Sequence, residues 1–398
     1  MLPSEQNELL CRTDRGTPAG EWLRRYWQPV GLSREITAGG KPEQVKVMGE
    51  DLVLLRDDKG RPGLLGLNCS HRLTSLAYGR VEDGGIRCPF HGWLYDVNGH
   101  CLEQPAEPEF FGDKFRHLSY PCEELGGLIF AYMGPEDKKP LLPRYEVLIR
   151  EDGSRKVDFY KINSNYLQNV EGAVDSVHFS YLHMDNWSHS KKRLASMPAP
   201  KLEFHETDYG IWQKSLLPDI NREFVDLCYA HFFMPAGFVR IQGSPKDRTF
   251  IQKFQSWYVP IDDTHTIRFQ VAFSPPYPDG KLFEWPPETP YDPPGPENDY
   301  YRQYGKADTI SGIPNRTAAS GVKGFLVQDS MVNETQGLIA DRSKEHLGFH
   351  DKVLTAQRVM CLMAVDNVRK GVDPKHIIRD PELNKIVYVR GDEAPELV

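Results

Sequence analysis

The sequence predicts an α+β protein of two domains, a small antiparallel β domain followed by a larger half that mixes helix and sheet. Three observations carry this. At 398 residues the chain exceeds the size at which a single hydrophobic core usually stops growing. Short runs rich in valine and leucine, separated by glycine, aspartate and proline, fill the first part. Beyond about residue 145 the apolar spacing alternates between helical intervals and strand-like runs.

The elements follow in order. In GTPAGEWLRRYWQPVGL, Pro18 suits a first helical turn, and Trp22, Leu23, Tyr26 and Trp27 recur at helical spacing, so a short amphipathic helix is expected to stop before Pro29. Residues 1–40 therefore read as a helical segment packing on the rest. QVKVMG, DLVLLR, GLLGLN and GGLIFAYMG read as strands of a β domain over 41–145, closed by the charged, proline-rich stretch PEDKKPLLPRYE. In 146–398, NYLQNVEGAVDSVHFSYLH has helical spacing, whereas EFVDLCYAHFFMP and TIRFQVAFSP read as antiparallel strands. SPPYPDGKLFEWPPETPYDPPGPEND has too many prolines for regular structure and reads as a surface loop. Val353, Ala356, Met360 and Met363 mark a core-facing helix with Asp351 as its cap.

Composition narrows the class. With 39% hydrophobic and 26% charged residues, no spanning apolar run and no basic-then-apolar start, the chain reads as a soluble cytoplasmic protein, neither membrane-bound nor secreted. A net charge of -8 without a basic block argues against nucleic acid as the main partner. Seven scattered cysteines, without a C-x-x-C pair, make a disulfide framework a poor expectation, and taken singly each reads as a small buried residue.

Two cysteines have histidine neighbours that change this. Cys69-x-His71 is followed, after sixteen residues, by Cys88-x2-His91. Two mixed pairs on the tips of two β loops suit a 2Fe-2S centre in which one iron takes two thiolates and the other two imidazoles. Neutral imidazoles remove negative charge and raise the potential, so the cluster accepts electrons from a reductase. Zinc also accepts two cysteines and two histidines, but zinc fingers usually place like ligands together.

The second constellation is Glu171-x3-Asp175-x2-His178-x4-His183. Two histidines with a later carboxylate can hold Fe(II) on one face and leave positions open for dioxygen. On a regular helix His178 and His183 would point about 140° apart, so sharing a metal requires the helix to end or bulge between them. Asp175 precedes His178 by three, shares its helix face and is expected to support that ligand from behind. His189 competes with His183, and Asp329, Asp341 and Asp351 are candidate carboxylates, the last two with the competing readings of a surface acid and a helix cap. His205, His231 and His265 read as structural or surface residues.

The cluster motif, with Pro89 and the Gly92-Trp93 pair, resembles the Rieske proteins, and the whole order of motifs resembles the Rieske non-haem iron oxygenases. The opening EQNELLCRTDRGTPAGEWLRRYWQPV and the later IADRSKEHLG are similar to the phthalate dioxygenase and dehydrodivanillate O-demethylase subgroup. The resemblance implies an N-terminal Rieske iron-sulfur β-sandwich domain and a C-terminal helix-grip domain with a curved antiparallel sheet. It implies a 2Fe-2S cluster on Cys69, His71, Cys88 and His91, and a mononuclear Fe(II) on His178, His183 and Asp329. Electrons would come from NAD(P)H through a separate reductase, and an aromatic substrate would yield a cis-diol, or a monooxygenated product that breaks down by demethylation. A homotrimer is also implied, in which Asp175 meets the second cluster histidine of a neighbouring subunit. Ser70 departs from the pattern, since relatives commonly carry proline there, and this can alter loop stiffness or hydrogen bonding to sulfur. Relatives often act on aryl carboxylates, and Arg240, on a strand that would face the cavity, can pair with a carboxylate through its planar fork, against the competing reading of a surface salt bridge. The alternatives are a Rieske electron carrier, which would leave the second half without a role, and a structural zinc protein.

Overall fold

The computed structural model describes residues 2–183, 200–218, 224–242, 252–285, 296–301 and 325–389. The N-terminal β region is built on strands whose two faces belong to different cores. A four-stranded antiparallel sheet orders Glu43–Val47, Glu50–Arg56, Pro62–Gly66 and Ser119–Tyr120. Side chains alternate across a strand. Leu52, Leu54 and Leu64 accordingly join the main core, while Val53, Leu55 and Leu65 turn to a smaller core with Leu76, Ile86, Trp93 and Tyr95. A second four-stranded antiparallel sheet, Arg80–Glu82, Gly85–Arg87, Leu94–Asp96 and Cys101–Glu103, shares that smaller core and carries the second cysteine-histidine pair at its turn.

The opening differs from the expectation. The helix covers only Pro18–Leu23, capped by Thr17, and Trp27–Leu32 is a strand. It pairs with Leu128–Tyr132 at the edge of a three-stranded sheet, with a register shift between Pro29 and Gly31. An edge position and an irregularity are what let a strand carry proline. Trp22, Leu23, Tyr26 and Trp27 are all buried. Their spacing marked burial, and a strand that is buried on both faces has no polar side to reveal its period.

The C-terminal part is a seven-stranded antiparallel sheet in the order Ser154–Ile162, His265–Ser274, Gln252–Asp262, Gly237–Gln242, Phe224–Phe233, Gly210–Pro218, Lys201–Glu206. Helices Tyr166–Val174 and Phe325–Glu334 lie against each other, and the first also packs on the sheet. The helix Lys352–Arg369 turns Val353, Met360, Cys361, Ala364, Val365 and Val368 inward. Met363, expected in that set, is exposed. Asp351 occupies the N-cap position but its carboxylate takes the Gly348 N–H at 2.6 Å and makes no cap bond to the helix. Residues Pro275 to Trp285 hold no regular structure, as the prolines require, and the following ten residues lie outside the described ones.

A buried ion network ties these helices together. Glu171 accepts bonds from Arg342 and from Arg358, and Arg358 also pairs with Glu345. Burial pushes the Glu171 carboxyl upward, but the two guanidinium groups outweigh it and hold the pKa below its ordinary value.

Candidate metal centres

The two cysteine-histidine loops share one backbone design. Cys69 N–H donates to Thr74 O and Leu73 N–H returns to Cys69 O, both at 2.9 Å. Nineteen residues on, Cys88 N–H donates to Trp93 O at 2.8 Å and Gly92 N–H returns to Cys88 O at 3.1 Å. Leu73 and Gly92, four residues after their cysteines, both adopt positive φ, 61° and 76°. The tight turn therefore recurs, once with the expected glycine and once with a leucine held in a conformation that costs it energy.

The loops bring their side chains together. His71 and His91 are half-buried with ring centroids 4.5 Å apart, and His71 stacks on Trp93 at 4.5 Å. Cys69 and Cys88 are buried free thiols. Burial pushes the Cys88 thiol up, the Phe90 backbone opposes this, and the adjacent Cys69 adds to it. The Tyr95 hydroxyl lies 3.3 Å from Cys69 Sγ. Two buried thiols and two half-buried imidazoles converging from two loop tips fit a Rieske cluster by the chemistry of the donor set.

At the second centre the helix Tyr166–Val174 ends, as the two histidines required. Asp175 is its C-cap with ψ 112°, and a new helical turn, His178–Tyr181, begins three residues later. The shared helix face expected of Asp175 and His178 therefore does not exist. A turn brings them close instead: Asp175 Oδ1 accepts from Val177 N–H at 2.7 Å, and Asp175 Oδ2 lies 3.9 Å from His178 Nδ1, beyond hydrogen-bond reach. His178 Nδ1 is buried and has no hydrogen-bond partner.

Asp329 arrives from the helix Phe325–Glu334. Gly172 permits the approach, since a Cβ there would lie 2.8 Å from Asn333 Oδ1. Gln168 Nε2 bonds the carbonyls of Asn333 and Gly337 at 2.8 Å each, and Glu334 Oε1 accepts from Asn163 N–H at 2.8 Å, so the C-terminal end of this helix is fixed to the helix Tyr166–Val174 and the residues that lead into it. Asp329 Oδ1 lies 3.0 Å from His183 Nε2 and 3.6 Å from His178 Nε2. One ligand atom from each residue falls within 4.8 Å of the others, and this is the metal-competent group found among the described residues. Burial raises the Asp329 carboxyl, but the His183 hydrogen bond and the nearby His178 and Arg268 charges prevail and lower it. His183 Nδ1 meets Gln328 Oε1 at 2.5 Å, which leaves Nε2 as the nitrogen facing Asp329.

A cavity of about 710 Å³ opens beside His178 and Asp329, with Phe179, Phe238, Phe254 and Tyr258 on its walls. Arg240 and Arg268 also line it. Arg240 lies with its Cζ 3.3 Å from the Phe179 ring centroid, and its Nε is buried without a hydrogen-bond partner. Arg268 is hydrogen-bonded to Tyr160, Ser256 and Gln270. Sequence reasoning missed Gln328 and Arg268. Gln328 adjoins Asp329, a usable signal, whereas Arg268 reached the cavity only through strand register.

Of the competing acids, Asp341 caps the turn Arg342–Lys344 and Asp351 bonds Gly348, so neither joins the centre. His205 stacks on Trp212, His231 bonds Tyr209 and His265 pairs with Asp262. His189 lies outside the described residues.

A Rieske [2Fe-2S] domain matches residues 26–121. The chain is 34% identical to the 5,5'-dehydrodivanillate O-demethylase oxygenase subunit of Sphingobium sp., over 97% of this chain and 86% of the relative. It is 33% identical to the phthalate 4,5-dioxygenase oxygenase subunit of Pseudomonas putida, over 93% and 88% respectively. Dicamba monooxygenase bound to dicamba superposes with a TM-score of 0.65 at 15% identity, over 87% of this chain and 99% of the other, which establishes likeness of fold. The chain belongs to the Rieske non-haem iron oxygenases, as an oxygenase subunit. It is an oxidoreductase whose cofactors are a 2Fe-2S cluster and a mononuclear iron. Among the described residues no helix is long and apolar enough to cross a membrane.

Proposed function

We propose that this subunit holds its cluster on Cys69, His71, Cys88 and His91 and its iron on His178, His183 and Asp329, and oxygenates an aromatic acid in the adjoining cavity. The observation that carries the reading is the convergence of the two histidines and Asp329 within 4.8 Å beside a cavity large enough for an aromatic ring. When bound, the cluster supplies single electrons, delivered from NAD(P)H by a separate reductase, and the iron supplies the site at which dioxygen is reduced. The protein's own part is positional. Gln328 fixes the orientation of His183, Asp329 offers its carboxylate in ionised form, and the phenylalanine walls keep water from the reacting ring.

Arg240 anchors the substrate carboxylate. Its buried Nε without a partner supports this, because a guanidinium in a cavity calls for an anionic acceptor. Ring dihydroxylation and monooxygenation with demethylation both remain within reach of the same site, the pose of the substrate selecting between them.

The working assembly is a cytoplasmic homotrimer in which Asp175 bridges His178 to His91 of the partner subunit. Support comes from Leu73, Tyr78 and Phe90, large apolar side chains exposed around the cluster loops, and from the His178 Nδ1 left without a bond within the subunit. The domain division at about residue 145 is part of the same reading. Metal analysis with reduced-state electron paramagnetic resonance tests it: about three irons per chain and a Rieske signal are expected, while a colourless zinc protein would overturn it.

A further inference from the structure

We propose that His117 is a positioning residue for the cluster site, holding the Cys69–His71 loop through Ser70 and the sulfur-facing Tyr95 through its ring. The proposal rests on the reading that Cys69, His71, Cys88 and His91 bind the cluster.

His117 is buried between the two structures it would serve. Its Nε2 lies 2.8 Å from Gly66 O, and its Nδ1 lies 2.8 Å from Ser70 Oγ. A carbonyl only accepts, so Nε2 carries the proton and Nδ1 is the acceptor. The Ser70 hydroxyl therefore donates to His117. Ser70 sits between two ligand positions, and the bond ties it through His117 to the strand Pro62–Gly66. Where relatives commonly use a proline to stiffen this step, the chain uses a hydrogen-bonded relay. The His117 ring also stacks against Tyr95 at 4.6 Å, and Tyr95 carries the hydroxyl that faces Cys69 Sγ. Hydrogen bonds to the sulfurs set cluster potentials. One imidazole thus serves two separable ends, loop rigidity by its nitrogens and the sulfur contact by its ring.

The experiment uses the purified holoprotein, with cluster loss followed as decay of visible absorbance under chelator and the midpoint potential by redox titration. Ser70→Ala, at an exposed residue, should speed cluster loss roughly fivefold to tenfold, the weight of one hydrogen bond. His117→Phe keeps a ring beneath Tyr95 and should behave like Ser70→Ala, and adding Ser70→Pro should restore the slow loss. His117→Asn keeps an acceptor for Ser70 but not the stack, and should lower the potential toward that of Tyr95→Phe while cluster loss stays slow. Cluster loss at the wild-type rate in Ser70→Ala overturns the proposal, and so do losses that fall in step with thermal stability and ignore Ser70→Pro. Absence of a Rieske signal in the wild type would instead defeat the underlying ligand assignment.

Discussion

Cys69, His71, Cys88 and His91 come from two loops that each close on themselves, cysteine carbonyl to the residue four ahead and cysteine N–H to the carbonyl five ahead. His178, His183 and Asp329 instead need a helix that stops at Val174, a fresh turn at His178, and a second helix whose Asp329 lies 146 residues beyond His183. The first candidate centre is local in sequence and its proposed ligand set is repeated; the second depends on how helices pack. The lesson is that the two should fail differently, the cluster by losing ligands or loop shape, the iron by any change that lets the two helices drift apart.

The sharpest break of this contrast is Asp329→Ala. It removes the one candidate ligand supplied by the second helix, so iron should fall from about three to about two per chain and turnover should vanish, with the cluster signal intact. Metal analysis beside electron paramagnetic resonance checks both halves at once. Full activity in this variant would move the third ligand to another acid.

Asp175→Asn tests whether the centres communicate. Both metals should stay bound, and cluster reoxidation with substrate and oxygen present should slow by orders of magnitude in rapid-mixing experiments, because the proposed anionic acceptor for the His178 Nδ1–H, 3.9 Å away within the subunit, is replaced by a neutral amide. A near-wild-type rate would show that Asp175 is not the bridge.

Glu171→Gln probes the packing that the iron site needs. It leaves Arg342 and Arg358 buried without their shared carboxylate, and a cost of roughly 3–5 kcal/mol is expected by denaturant unfolding. The pH dependence has a definite sign. Because Glu171 has a lowered pKa in the folded protein, its contribution is fully present above the unfolded value and is lost as pH falls through the folded one. Wild type should therefore lose stability in acid more steeply than Glu171→Gln.

The smallest effect belongs to Arg240→Ala, expected to raise KM for aromatic acids by about tenfold to a hundredfold while sparing neutral analogues, the loss of one charged hydrogen-bonded contact. An unchanged KM for aromatic acids in Arg240→Ala would remove the carboxylate from the substrate.

What could be read from the sequence follows the same division. The paired Cys69-His71 and Cys88-His91 motif is legible because ligands on tight loops must sit at fixed short spacings, and the strands around it are legible from alternating leucines and valines. His178 and His183 were legible as a pair, together with the requirement that their helix break. That Asp175 would be the breaking residue was not, since the end of the helix depends on the Asp175 to Val177 turn rather than on a proline or glycine signal.

The sequence by itself determined the α+β class and the candidate donors proposed for both centres, because periodicity and short-range spacing are properties of the local chain. Only the tertiary structure decided that Trp27 lies in a strand, that Gly172 lets the Asp329 helix come within reach of His178, that Glu171 is an anchor for two arginines, and that Arg240 and Arg268 share a cavity wall. Each of these is a contact between residues far apart in the chain. Its energy comes from burial and pairing that no local window of sequence contains.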